Sequence, residues 1–212
     1  MLIFDFYAGT GSSTQAFADV GHRVIRFEND PQFDADLYDD ISTLKAADLV
    51  EQYGRPDFVW ASPPCTSFSV ASIGRHWHAP GIPKTQQASD AQDLVAHTVE
   101  LIRDLDPRFG WLMENPRGML RKLPVVADLE RRTITYCAYG DFRMKPTDLW
   151  GGVSGWSPRL ACKNGDPCHV SAPRGSKTGT QGMETPAVKA MVPYELGAEL
   201  LAAITRLQME GK

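Results

Sequence analysis

The sequence predicts an α/β fold with a mostly parallel twisted sheet. Short apolar runs alternate along the chain with helical stretches, and the runs end at turns rich in Gly, Pro or Asn, which is the pattern of parallel strands joined by helices. The chain has 212 residues, of which 42% are hydrophobic, and this length suits one core. We therefore expect residues 1–212 to form a single domain.

Five strands are predicted, each from a run of apolar and β-branched residues that stops at a turn former. The first run is followed by Ala8-Gly9-Thr10-Gly11, the third by Ser62-Pro63-Pro64 and the fourth by Asn115-Pro116. The five predicted strands cover residues 2–7, 23–28, 57–61, 109–114 and 132–137.

Three helices are predicted between and after these strands. Residues 15–21 follow two serines that can cap a helix, and they end at a glycine. Residues 89–105 place their Leu, Val and Ile side chains on one stripe. Residues 193–208 open with a proline, which favours the first helical position. Residues 66–88 and 151–190 show neither the helical nor the strand periodicity of apolar residues. Loops of that length are usually functional or mobile.

The charge is unevenly distributed. The formal net charge of −4 argues against a protein that binds nucleic acid over its whole surface. Residues 1–60 carry 4 basic and 11 acidic side chains, whereas residues 117–212 carry 14 basic and 9 acidic ones. This asymmetry indicates either a polyanion-facing half or a chance clustering of solvated charges.

Other sequence features suggest a reduced cytoplasmic protein. There is no apolar run of about 18 residues that could span a membrane. The first residues show no basic region or cleavage site, so we expect no signal peptide. Four cysteines in 212 residues are too few for a disulfide scaffold.

A nucleoside-containing cofactor is suggested by the ends of the first two predicted strands. Glycines in the segment Asp5-Phe6-Tyr7-Ala8-Gly9-Thr10-Gly11 allow the backbone to approach a ligand. Glu28 lies 17 residues after Gly11, where an acid can bind both ribose hydroxyls. Asp40-Ile41 offers a carboxylate for an amino group and an apolar face for a ring. The alternative for Glu28 is a surface acid.

A nucleophile and an acid are suggested by the next two strand ends. Cys65 follows two prolines that fix the backbone, and a thiolate there could act as a nucleophile. Glu114 ends an apolar strand, where burial would raise its pKa and keep it available as an acid. The alternative for Cys65 is a small buried apolar residue.

Taken together, these motifs resemble the DNA (cytosine-5) methyltransferases in order and spacing. The resemblance covers residues 1 to about 150 and, more faintly, 185–207. It implies a Rossmann-like methyltransferase domain that uses S-adenosylmethionine and releases S-adenosylhomocysteine. A chain this compact would come from a bacterium or a virus acting in a host cell. The cofactor-binding residues implied are Asp5, Tyr7, Ala8, Gly9, Thr10, Gly11, Glu28, Asn29, Asp40, Ile41 and Pro63.

The resemblance also implies a covalent mechanism. Cys65 would attack C6 of cytosine, and Glu114 would bind the N3 edge so that C5 can accept the methyl group. This sequence departs from the family in having Thr66 after the cysteine and Pro116 after Glu-Asn.

The family's later motif is Gln-x-Arg-x-Arg, and a gapless match puts Arg143 at its Gln and Lys145 at its first Arg. We take Arg143 as the first candidate for the cation near the cytosine carbonyl and phosphate. Lys145 is the second candidate for that cation. For both, the alternative is phosphate binding without catalysis.

The implied substrate is double-stranded DNA with the target cytosine flipped out of the helix. Residues 66–88 would form the loop that closes over the base, and residues 151–190 would be the only remnant of a target-recognition domain. We therefore expect a recognition site of two bases at most, a monomer, and no membrane partner. The predicted DNA contacts are Ser69, Arg75, His76, Trp77, His78, Lys84, Arg174, Lys177, Thr178 and Gln181.

A metal site is not predicted. Cys162, Cys168 and His169, with Cys137 as a third sulfur, hint at zinc. Adjacent Cys and His rarely both reach one ion, however, and the spacing is not a standard zinc pattern.

Two other functions stay open on sequence alone. One is the same chemistry on RNA or a free cytosine nucleotide, because so little recognition surface is available. The other is an inactive DNA-binding subunit, against which the intact Cys65 and Glu114 argue.

Overall fold

A computed structural model describes residues 1–79, 81–171 and 185–211. Its strands are β1 (Leu2–Phe6), β2 (Arg23–Phe27), β3 (Phe58–Ala61), β4 (Trp77–His78), β5 (Ile82–Pro83), β6 (Gly110–Pro116), β7 (Arg131–Thr135) and β8 (Pro146–Val153). Its helices are α1 (Gln15–Asp19), α2 (Ala46–Tyr53), α3 (Ile73–His76), α4 (Gln86–Leu105), α5 (Pro186–Ala190) and α6 (Tyr194–Met209). Among the described residues, no helix is both long and apolar enough to cross a membrane.

Six strands form the main sheet in the order β2-β1-β3-β6-β8-β7. Strands β2, β1, β3 and β6 are mutually parallel, and β8 runs antiparallel to both β6 and β7. The predicted α/β class with a mostly parallel sheet is therefore confirmed. Strand β8 was not predicted.

Two apolar layers cover the two faces of the sheet. Neighbouring residues of β1 and β3 alternate between them, so that Phe4 and Val59 belong to the layer beneath α2 and α4. Ile3 and Phe58 belong to the layer that contains α6 residues such as Leu200. Strands β1 and β3 are buried on both faces, which explains their nearly continuous apolar runs.

Several element boundaries differ from the predicted ones because local caps override periodicity. Helix α4 begins at Gln86, since the hydroxyl of Thr85 accepts from the backbone N–H of Ala88 at 3.3 Å. Pro193 is the N-cap of α6, not its first helical residue. The fifth predicted strand ends at Thr135, and the next four residues form a 3₁₀ turn.

The loops also contain structure that was not predicted. Residues 66–88 include α3 and the hairpin of β4 and β5, and α2 precedes β3. Strand β8 escaped prediction because two glycines and the buried Asp148 interrupt its apolar pattern. Arg121 forms an ion pair with that carboxylate, and Thr133 donates to it at 2.7 Å.

Candidate active site

The candidate site lies at the edge where the parallel strands end. Strand β1 lies between β2 and β3, so the chain adds β2 on one side of β1 and β3 on the other. Such a switch in strand order opens a crevice at the carboxyl ends of the strands. Residues 7–11, Glu28 and residues 62–65 follow β1, β2 and β3 at this edge, and Glu114 lies near the end of β6. Because β8 is antiparallel, its start brings Lys145 to the same edge.

The turn after β1 needs left-handed backbone at three positions. Tyr7, Gly9 and Gly11 have φ angles of 61°, 50° and 70°. A Cβ atom on Gly11 would lie 2.6 Å from Nε of Arg26, so a larger residue would displace that side chain. The Tyr7 hydroxyl lies 2.7 Å from Oγ1 of Thr98 on α4, which fixes the tyrosine ring. Ala8 is buried and Thr10 is exposed.

Asp5 ties this turn to α1 and retains one free acceptor. Its Oδ2 accepts from the hydroxyls of Ser13 at 2.8 Å and Thr14 at 2.6 Å. Its Oδ1 is buried and has no hydrogen-bond partner among the described residues. Burial raises the pKa of Asp5 to about 6. A buried carboxylate oxygen of this kind fits a ligand that carries an amino group.

The ends of β2 and of the following loop carry the other predicted cofactor residues. Oε2 of Glu28 accepts from the backbone N–H of Gly9 at 2.9 Å, and its Oε1 accepts from the backbone N–H groups of Asn29 and Asp30. Asp40 is exposed and caps the 3₁₀ turn that contains the buried Ile41. The acid, the glycine turn and the apolar residue fit a nucleoside-containing cofactor, and an incoming ribose would compete for the Glu28 carboxylate.

The loop that carries Cys65 is fastened to β6. The side-chain amide of Asn115 donates to the carbonyl of the buried Pro63 at 2.8 Å. The carbonyl of Cys65 accepts from the backbone N–H of Phe68 at 3.0 Å, so the chain turns immediately after the thiol. A Cβ atom on Gly118 would lie 2.1 Å from the carbonyl oxygen of Phe68, so this close approach requires glycine.

Glu114 is buried beside a tyrosine that sequence reasoning did not assign to the site. The Tyr136 hydroxyl donates to Oε1 of Glu114 at 2.9 Å, and both side chains are almost fully buried. Burial raises the pKa of Glu114, while the charge of Lys145 and the Tyr136 hydrogen bond oppose that rise. The carboxyl can therefore hold a proton at a higher pH than an exposed glutamate can.

The pKa of the Cys65 thiol depends on the charges of both Glu114 and Lys145. Burial raises the pKa of its thiol, the negative charge of Glu114 raises it further, and the positive charge of Lys145 lowers it. Burial lowers the pKa of Lys145, and the charge of Glu114 raises it. The electrostatic coupling of these three groups indicates that thiol, carboxyl and ammonium share one site.

Lys145 and Arg143 occupy different environments. The Lys145 ammonium lies 4.4 Å from the centre of the Tyr136 ring and donates to the carbonyl of Lys189 at 2.9 Å. The Arg143 guanidinium forms a buried ion pair with Asp141. It also donates to backbone carbonyls at the end of α5, including that of Val188 at 2.9 Å. The N–H groups of the Arg143 guanidinium are thus already hydrogen-bonded to the Asp141 carboxylate and to backbone carbonyls.

The predicted DNA contacts divide into three groups. His76 and Trp77 are buried, because the His76 ring bonds the Thr85 hydroxyl at 2.9 Å and the Trp77 indole donates to the carbonyl of Ser67 at 2.7 Å. They are therefore not presented to solvent as phosphate or wedge contacts. Ser69 is half-buried, and Arg75, His78 and Lys84 are exposed. Arg174, Lys177, Thr178 and Gln181 lie outside the described residues.

Sequence reasoning missed the residues that position the site. Tyr136 and Thr98 looked like ordinary members of a strand and a helix, and Asp141 looked like a loop residue. Only the antiparallel β7–β8 pair brings Tyr136 and Lys145 beside β6. A strand prediction for residues 146–153 would have been the signal that indicated this neighbourhood.

The chain is similar to known cytosine methyltransferases. A model of the family described as C-5 cytosine-specific DNA methylase matches residues 1–125. A probable DNA (cytosine-5)-methyltransferase of Frog virus 3 (isolate Goorha) is 27% identical over 223 residues, which cover 95% of this chain and 99% of that protein.

Solved structures show the same fold. A putative DNA modification methyltransferase encoded within an E. coli prophage has a TM-score of 0.50 and 17% identity, over 72% of this chain and 46% of that one. Entamoeba histolytica methyltransferase EhMeth has a TM-score of 0.52 and 10% identity, over 76% and 55%. The chain thus spans about half the length of these two structures.

The fold is that of a Rossmann-like methyltransferase, and the family match covers more than half of the chain. The chain therefore belongs to the C-5 cytosine-specific DNA methylases, a family of cytosine-5 methyltransferases.

Proposed function

We propose that this protein transfers a methyl group from S-adenosylmethionine to C5 of cytosine in double-stranded DNA, with Cys65 as the covalent nucleophile. The observation that carries the proposal is the shared electrostatic environment of Cys65, Glu114 and Lys145 at the carboxyl edge of the sheet. A thiol, a proton-holding carboxyl and a cation are the groups that covalent activation of a pyrimidine requires.

The first step is addition of the Cys65 thiolate to C6 of the flipped cytosine. Lys145 stabilises the thiolate, and protonation of Glu114 removes the negative charge that opposes thiolate formation. Protonated Glu114 donates to N3, so that the electron pair displaced from the C5–C6 bond builds up on C5 and the ring. Because Tyr136 donates to Oε1 of Glu114, the other carboxyl oxygen is left to carry the proton toward the base.

In the second step C5 would take the methyl group as the bond between that group and sulfur breaks, which leaves S-adenosylhomocysteine. S-adenosylmethionine, when bound, supplies this group as an electrophile. Asp5 would bind its amino group through Oδ1, Glu28 its ribose and Ile41 one face of its adenine. A solvent base would then take the C5 proton, so that the C5–C6 double bond re-forms, the Cys65 thiolate leaves and the N3 proton returns to Glu114.

Recognition of DNA sequence is proposed to be short or relaxed. The described residues between β8 and α5, 154–171, form no helix or strand. Both ends of this connection are bound to residues near the site, because the Val170 N–H donates to the Phe142 carbonyl at 3.0 Å and the Val188 carbonyl accepts from Arg143. Residues 172–184 lie between these anchors and include Arg174 and Lys177. So short a connection supports a small recognition segment.

The decisive experiment is trapping on DNA that contains 5-fluorocytosine. Fluorine at C5 cannot leave as a proton does, so the Cys65–C6 bond persists after methyl transfer. We expect a denaturation-resistant protein–DNA adduct that requires S-adenosylmethionine, and no adduct with Cys65→Ala. A matched control is DNA of the same sequence with ordinary cytosine, on which the wild-type protein should leave no persistent adduct. A stable adduct with Cys65→Ala would refute the covalent mechanism.

Substrate class is tested by parallel methyl transfer to DNA, RNA and cytosine nucleotides. Activity confined to RNA or nucleotides would overturn the choice of DNA, and absence of transfer to all three would indicate an inactive binding subunit. Bisulfite sequencing of a methylated random plasmid tests specificity, and a site of more than about three fixed bases would contradict the proposal.

A further inference from the structure

Two cysteines and a histidine converge outside the candidate active site, and a third cysteine lies beside them. Ligand atoms of Cys137, Cys168 and His169 all lie within 4.8 Å of one another. Cys162 lies beside this group, because its backbone N–H donates to the hydroxyl of Thr135, two residues before Cys137, at 2.9 Å. All four cysteines of the chain are free thiols, and only Cys65 stands apart from this group.

From this convergence we infer that Cys137, Cys162, Cys168 and His169 bind one structural Zn²⁺ ion. Three thiolates and one imidazole are a common ligand set for tetrahedral zinc. With metal–ligand bonds of about 2.3 Å for sulfur and 2.0 Å for nitrogen in a tetrahedral site, sulfur and nitrogen ligands lie about 3.5 Å apart. The observed separation between Sγ of Cys168 and Nδ1 of His169 is 3.4 Å.

The backbone explains how adjacent residues contribute to one site. Pro167 and Cys168 form a turn and His169 lies in a bend, and in this conformation the side chains of Cys168 and His169 approach each other, unlike neighbours on an extended strand. The sequence spacing argued against zinc because it could not show that a turn lies at these two residues. One ring nitrogen of His169 faces the cluster, and Nε2 is buried without a hydrogen-bond partner among the described residues.

The site connects two distant parts of the chain. Cys137 lies in the 3₁₀ turn after β7, and residues 162–169 lie in the connection between β8 and α5. A further bond links them, since the backbone N–H of Cys162 donates to the Thr135 hydroxyl at 2.9 Å. Four protein ligands leave no open coordination position, so the ion has a structural role and takes no part in methyl transfer.

Zinc content of protein purified under reducing conditions, without chelator, tests this inference directly. We expect about one zinc per chain, released when an organomercurial blocks the thiols. The variant Cys168→Ser should lose most of the metal, and because Cys168 is exposed, the substitution does not disturb the core. Cys65→Ser is the matched control, since it removes the cysteine outside the cluster and should retain full zinc.

A second readout is cobalt binding to the metal-free protein. Tetrahedral thiolate coordination should give intense visible absorption with wild type and Cys65→Ser, and weak absorption with Cys168→Ser. Unchanged zinc content in Cys168→Ser would overturn the inference. Wild-type protein without zinc, or with a disulfide among these cysteines by mass, would overturn it as well. None of these outcomes depends on methyltransferase activity, so the inference and the proposed function fail separately.

Discussion

Replacing Tyr136 by Phe removes one hydroxyl and tests how the acid is positioned. This hydroxyl donates to Oε1 of Glu114 at 2.9 Å in a fully buried environment. Loss of a buried hydrogen bond of this type costs about 1–3 kcal/mol. If that energy acts in the transition state, kcat falls about 5- to 150-fold. KM for DNA should change little, because Tyr136 is buried away from solvent.

The Tyr136→Phe substitution should also shift the pH profile of kcat in a defined direction. The Tyr136 hydrogen bond lowers the pKa of Glu114, so its removal raises that pKa. Glu114 then stays protonated to a higher pH, and the alkaline limb of the kcat profile moves upward, by about one unit for each 1.4 kcal/mol lost from the ionised form. The assay is the initial rate of tritiated methyl transfer to DNA across the pH range.

Tyr139→Phe is the matched control for this variant. Tyr139 is equally buried and belongs to the same 3₁₀ turn, but its hydroxyl accepts from the backbone N–H of Arg159 at 2.9 Å. We expect some loss of stability and no shift of the pH profile. An unchanged kcat in Tyr136→Phe, or an alkaline limb that moves downward, would refute the role assigned to Tyr136.

Three further variants test other parts of the site. Lys145→Met should slow alkylation of Cys65 by iodoacetamide near neutral pH and lower kcat by about tenfold or more, since one pKa unit at the thiol is about 1.4 kcal/mol; thiolate reactivity as fast as in wild type would contradict this. Asp5→Asn should remove a pH dependence of stability. Burial raises the pKa of Asp5 from 3.8 to about 6, so between these pH values the folded state binds more protons than the unfolded state. The free energy of unfolding should therefore fall by about 3 kcal/mol as pH rises from about 4 to 7. Urea unfolding of both proteins across this range measures the difference, and equal slopes would disprove it. Gly118→Ala should displace the loop after Cys65, with a stability loss of about 1–3 kcal/mol by thermal melting and a lower kcat. Gly74→Ala, where a Cβ atom meets nothing within 4 Å, is its control.

The parallel half of the fold could be predicted because its signals are local. Each of β1, β3 and β6 is a short apolar run that ends at a turn former. Parallel strands end at one edge, so Cys65 and Glu114 could be assigned to a common crevice before their neighbours were known.

The antiparallel half could not be predicted in the same way. Strand β8 contains a buried Asp148 that is stable only because Arg121 and Thr133 bind it from elsewhere in the chain. Its glycines, Gly151 and Gly152, weaken the strand pattern further, although Gly151 lies against the Trp111 ring, where a Cβ atom would not fit. Partners distant in sequence leave no periodic signal, so Tyr136 and Lys145 could not be assigned to positions beside Glu114.

Our proposal of Lys145 rather than Arg143 as the active-site cation rests on charge, not on sequence position. A guanidinium that forms a buried ion pair with Asp141 is neutralised at close range, so the pair exerts little net field on a nearby thiol or base. Its remaining donors bind backbone carbonyls at the end of α5. Lys145 has no such counter-ion among its hydrogen-bond partners in the described structure, because its ammonium donates to a neutral carbonyl and faces an aromatic ring. Its uncompensated charge therefore acts on Glu114 and Cys65, while Arg143 holds α5 against the strand that carries both cations.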